Sequence, residues 1–126
     1  MSTQPEVSSF IPERGRAHCC IAMSLVPLPK TVSHPWSTSV LNAYNQLNAI
    51  YQTAAGYVLS DGLEAHRLQQ YGRTIATDAY PLLLLMEETR EHEGVPHTWI
   101  NAAADEFTEL MGIIDERWRM AVGEYV

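Results

Sequence analysis

Residues 87–97 read EETREHEGVPH, which puts four glutamates and two histidines into eleven positions. Carboxylates and imidazoles ligate transition metals and carry protons in catalysis. If a helix runs through residue 92, Glu88 and His92 stand four apart on one face, as do Glu87 and Glu91. Glu88 and His92 could then hold a metal or pass a proton, with His97 joining from the turn after Gly94 and Pro96. Di-metal helical bundles supply a Glu-x-x-His motif twice, and this chain has no such motif. The plainer reading is the charged end of one helix turning into the next. Negative charge there opposes the helix dipole by only about 0.3–1 kcal/mol, which a solvated end tolerates.

Other reactive residues lack partners at useful spacing. Cys19 and Cys20 are adjacent, and neighbouring cysteines close a strained ring if they pair. With His18 they could offer soft ligands, but no second cysteine pair completes a tetrahedral site, so free thiols are expected. His66 and Glu64 are two apart and do not face each other on a helix, so His66 reads as a surface residue; His34 falls beside Pro35. There is no G-x-S-x-G and no glycine-rich phosphate loop. Tyr44, Tyr51 and Tyr57 at helical spacing read as packing rather than a ligand pocket. Arg117 and Arg119 flank Trp118, and together with Trp99 they are the residue types that dominate interface hot spots. The competing reading buries Trp118 and leaves both arginines at its rim.

These residues must be carried by a chain of 126 positions, one domain at most. With 46% hydrophobic and 18% charged residues, the composition suits a folded globular chain. No apolar run is long enough for a membrane span, and the polar start does not read as a secretory signal. An intracellular protein, cytoplasmic or nuclear, is the expectation. Residues 37–126 carry five arginines against thirteen acidic residues, a net −8, whereas residues 1–36 are net +1. An acidic body lacks the basic footprint for direct nucleic-acid binding and says nothing against a basic protein partner.

Five of the seven prolines lie in the first 35 residues and deny that stretch a long helix. Residues 1–35 therefore read as an extended, flexible leader, in which CIAMSLV could dock on the body as a strand or an apolar plug. Met23 also offers a second start. Residues 36–126 read as the helical domain.

Val40, Tyr44, Leu47, Tyr51, Ala54 and Val58 share one helical face, widened by Leu41, Ile50, Ala55 and Leu59. Ser37 is the expected N-cap, and SDG at 60–62 the expected stop. Asp61 and Glu64 suggest a capping box for a second helix whose stripe is Leu68, Tyr71, Ile75, Ala79, Leu82 and Met86. Pro81 either kinks that helix or opens a separate one capped by Asp78. The run LLLLM at 82–86 is apolar nearly all round and should be the most buried part of the fold. A third stripe, Ile100, Ala104, Phe107, Met111, Ile114, Trp118, Ala121 and Tyr125, comes after a cap at Thr98 with Pro96 just outside. The expected fold is all-α: an antiparallel three-helix bundle, four-helix if Pro81 splits the second, behind a Pro-rich leader.

The order LEAHRLQQYGRTIATDAYPLLLLM then GVPHTWINAAADEFTEL, across roughly residues 60–115, resembles the helical segment preceding the integrase-like region of some fungal mobile-element proteins. The shared features are a leucine-rich helix, a short turn, and a tryptophan leading into an alanine- and leucine-bearing helix. The resemblance implies a helical scaffold and assigns no catalytic residue.

The expected function is a small acidic, non-catalytic module that binds another protein or itself, with Trp99, Arg117, Trp118 and Arg119 as interface residues and no cofactor. The alternative is a ligand- or metal-binding bundle built on Glu88, His92 and His97. An enzyme using that cluster is the least favoured class.

Overall fold

The computed structural model describes residues 21–30 and 35–123. The cysteine pair, His18, His34 and Tyr125 lie outside them. Four helices run in order: α1 (Thr38–Leu59), α2 (Ala65–Thr74), α3 (Tyr80–Glu93) and α4 (His97–Ala121). A π-helical turn, Ile75–Ala79, joins α2 to α3 without a break, so the bundle has three rods.

The π turn resolves the ambiguity at Pro81. Proline has no N–H to donate, and its ring crowds the carbonyl four residues back. Widening the turn relieves that contact, and the amide of Tyr80 bonds Ile75 O instead. Asp78 is not a cap, because Ala79 precedes α3 in helical conformation. The wide turn also rotates α3 relative to α2. Ile75, Ala79 and Leu83 are buried at successive four-residue steps, so the stripe passes to Leu83 and leaves Leu82 half-buried.

The centre of the first stripe forms as expected, with Val40, Leu47, Tyr51, Ala54, Ala55 and Val58 buried, whereas Tyr44, Ile50 and Leu59 are half-buried and Leu41 is 43% exposed. Ser37 Oγ accepts from the Val40 amide at 3.2 Å and donates to Glu93 Oε1 at 2.9 Å, tying the start of α1 to the end of α3. The capping box at 61–64 does not form, since Asp61 takes a left-handed φ of 62° and Glu64 itself is the N-cap without a side-chain bond. Tyr57, one helix away, supplies the missing acceptor: its hydroxyl takes the Glu64 amide at 2.8 Å. Thr98 is likewise not a cap, because α4 begins at His97 with extended Pro96 before it.

On α4 the buried face is Trp99, Ile100, Ala103, Phe107, Leu110, Ile113 and Ile114, while Ala104, Met111 and Trp118 are half-buried at its edge and Ala121 is exposed. Phe107 is its centre. It meets Tyr51 of α1 edge-on at 5.4 Å and Tyr80 at 6.4 Å, so one ring ties α4 to both other rods.

The leader is not wholly free of the body. Leu25 is 2% exposed and belongs to the core, which accords with an apolar plug rather than a strand. No helix among the described residues is long and apolar enough to cross a membrane.

Candidate functional site

The acidic segment resolves into a helix end and a turn. Helix α3 runs to Glu93, and Gly94 closes it at φ 80°, a conformation costly for a side chain bearing a Cβ. The amides of Gly94 and Val95 both turn back to Arg90 O, and Val95 is buried, so an apolar anchor fixes the reversal. Glu88 and His92 are exposed on α3. His97, on the first turn of α4, points its Nδ1 at Glu87 Oε1 at 3.5 Å, and Glu87 also takes Arg90 Nε at 3.3 Å. The structure therefore does not assemble Glu88, His92 and His97. Among the described residues no three His, Cys, Asp or Glu side chains are grouped to hold a metal ion. Glu87 is the residue at the junction, reached only because the chain reverses between α3 and α4. Such exposed pairs contribute about 0–1 kcal/mol.

The tryptophan and arginine candidates are placed differently from one another. Trp99 is buried and donates its indole N–H to Val26 O at 3.0 Å. Arg117 donates to Val58 O at 2.7 Å, near the end of α1, and lies 3.9 Å from Asp61. It therefore serves α1's C-terminal carbonyls rather than an open surface. Arg119 is exposed and pairs with Asp115 at 3.3 Å. Trp118 is half-buried and, with Leu68, Gly72, Met111 and Ile114, lines a cavity of about 210 Å³ between α2 and α4.

A larger apolar surface lies elsewhere. Contrary to the expectation for LLLLM, Leu84 is 59% and Leu85 54% exposed, while only Leu83 and Met86 of that run are buried. A bundle of three rods covers one side of each helix, so a helix that is apolar all round must leave leucines outside. Pro81, Leu82 and Leu85 line an open groove of about 570 Å³ against Ala49 and Ile50 of α1. Asp78 borders the groove at one end. Glu88 and His92 continue the exposed line at three- and four-residue spacing beyond Leu85.

The third feature is the seat of the leader. The Leu25 amide donates to Asn48 Oδ1 at 2.9 Å, and the Trp36 indole donates to Pro29 O at 2.9 Å. Beneath, Ile21, Ala22, Tyr51, Glu106 and Glu109 line a cavity of about 70 Å³. Burial pushes the Tyr51 hydroxyl up to about 12, the nearby Glu106 and Glu109 charges add to it, and a hydrogen bond with the Ala22 backbone opposes it. Burial also raises the Glu106 carboxyl; a hydrogen bond with the Val26 backbone opposes this, and Glu109 adds to it. Glu106 Oε1 is buried with no hydrogen-bond partner among the described residues. The sequence marks CIAMSLV as a possible plug and carries no motif that singles out Asn48, Glu106 or Glu109.

Comparison with known proteins finds no matching family model, no matching curated protein and no matching solved structure.

Proposed function

We propose that this chain is a non-catalytic helical module that binds another protein through the leucine groove between α1 and α3. The observation that carries the reading is the exposure of Leu84 and Leu85 beside that groove. Single exposed leucines are ordinary, whereas a contiguous apolar face with a polar rim is the build of a binding surface. A groove between two helices suits the apolar stripe of a third. Asp78 and Glu88 flank the apolar centre, and residues 37–126 carry a net −8. The fitting occupant is therefore an amphipathic helix with basic flanks. A second copy would bring another acidic body to an acidic rim, so a different protein is the better complement.

The test titrates the full chain with a synthetic helical peptide bearing leucines at i, i+4 and i+7 between lysines. Burying one leucine contributes about 1.5–3 kcal/mol, so Leu85→Asp should weaken binding about tenfold or more. A peptide with glutamate flanks should bind less well. Binding indifferent to both Leu84→Asp and Leu85→Asp sinks the proposal. A concentration-dependent dimer by light scattering, dissolved by Leu85→Asp, replaces the heterologous partner with a second copy.

A further inference from the structure

Residues 21–30 make no helix or strand of their own, yet their backbone is bonded by side chains from outside the segment. Asn48 of α1 accepts from the Leu25 amide, Trp99 of α4 donates to Val26 O, and Trp36 donates to Pro29 O. These contacts read main-chain groups, which any extended peptide offers. One side chain of the segment, Leu25, is fully seated in the core. We infer that the face beneath residues 21–30 is a peptide-binding groove with a built-in occupant, and that a better ligand is an extended peptide with lysine or arginine three residues before its buried leucine.

The position of that basic residue comes from the unfilled space. Ala22 lies three residues before Leu25 and is exposed, and it borders the small cavity shared with Tyr51, Glu106 and Glu109. Its methyl group offers no donor to the two carboxylates. Glu106 has a hydrogen bond with the Val26 backbone, but its Oε1 is buried with no hydrogen-bond partner among the described residues, which is costly for an acceptor of this kind. A lysine at that position could run its stem along the exposed edge and donate to Glu106 and Glu109. The chain's own segment thus leaves open a donor position that an outside peptide could fill, and that added bond is what would let the peptide compete with the tethered segment. This surface stands on different residues from the leucine groove.

The test uses the full chain carrying Leu25→Asp, which weakens its own segment. Two labelled peptides are titrated by fluorescence anisotropy: residues 21–30 unchanged, and the same peptide with Ala22→Lys. A charge-assisted hydrogen bond predicts about tenfold tighter binding for the lysine peptide. Adding Glu106→Gln to the chain should remove most of that difference, and adding Leu85→Asp should leave it unchanged. Equal binding of the two peptides, or no binding, overturns the inference. Should Leu25→Asp fail to fold, hydrogen exchange on the wild-type chain decides. An excess of the lysine peptide should speed exchange at the Leu25 amide while leaving the Leu47 and Phe107 amides protected; an unchanged Leu25 rate overturns the inference.

Discussion

Gly62→Ala is a one-methyl change whose cost can be worked from the geometry. A Cβ at position 62 would lie 2.5 Å from both Cε1 and Cε2 of Tyr57, well inside contact distance, so the ring must move. Three interactions depend on where that ring sits. The Tyr57 hydroxyl accepts the Glu64 amide at 2.8 Å, the ring meets Tyr71 at 5.2 Å, and Arg67 lies over it at 4.8 Å. Typical contributions are about 0.5–1.5 kcal/mol for the hydrogen bond, about 0.5–1.5 kcal/mol for the ring pair and about 0.5–1 kcal/mol for an exposed cation–π contact. Loss of all three gives about 1.5–4 kcal/mol, and alanine returns about 0.4–1 kcal/mol by restricting the unfolded chain. A net loss of about 1–3 kcal/mol is expected, read as a lower urea midpoint at unchanged slope. A double-mutant cycle with Tyr57→Ala identifies the cause, because the Gly62→Ala penalty should vanish once the ring is gone. A penalty of the same size in both backgrounds would refute the argument.

Leu25→Ala removes a side chain seated in the core and should cost about 2 kcal/mol by urea unfolding, at the low end for buried leucines because the leader can settle inward. A loss under about 0.5 kcal/mol would mean that the leader adds nothing to the fold. Ser37→Ala deletes the cap of α1 and its bond to Glu93, for about 1 kcal/mol in the same assay. Glu106 holds its proton more tightly when folded than when unfolded, so its contribution is complete below the unfolded carboxylate pKa and declines as pH rises through the folded one. Glu106→Gln should therefore be more stable than wild type at neutral pH and lose that advantage toward acid, measured by urea unfolding across pH 4–7. Replacing His92 and His97 together by alanine should move Tm by less than about 3 °C, since the exposed Glu87–His97 pair contributes little; a larger drop in the presence of zinc would restore the metal reading.

Local patterning determined much of this protein. Spacing of three and four placed the helices, and the short-range preference of serine for helix starts placed the cap at Ser37, because both depend on neighbours within a turn or two. The reversal at Gly94 was legible in EETREHEGVPH for the same reason. The features that tertiary structure decided involve residues far apart in the chain. Tyr57 replaced the local capping box by reaching Glu64 from another helix. Pro81 marked a local disturbance in the sequence, but that it took the form of a π turn at 75–79 and passed the buried stripe to Leu83 shows only in the fold. Which leucines of LLLLM face out depends on how many rods surround α3, a number that composition does not carry. The seat of Leu25 joins Asn48 and Trp99 across 23 and 73 residues between bonded partners, and no periodicity links positions so distant. Glu106 shares a cavity with Ile21, Ala22 and Tyr51, residues far from it in the chain, so its raised pKa belongs to the assembled fold.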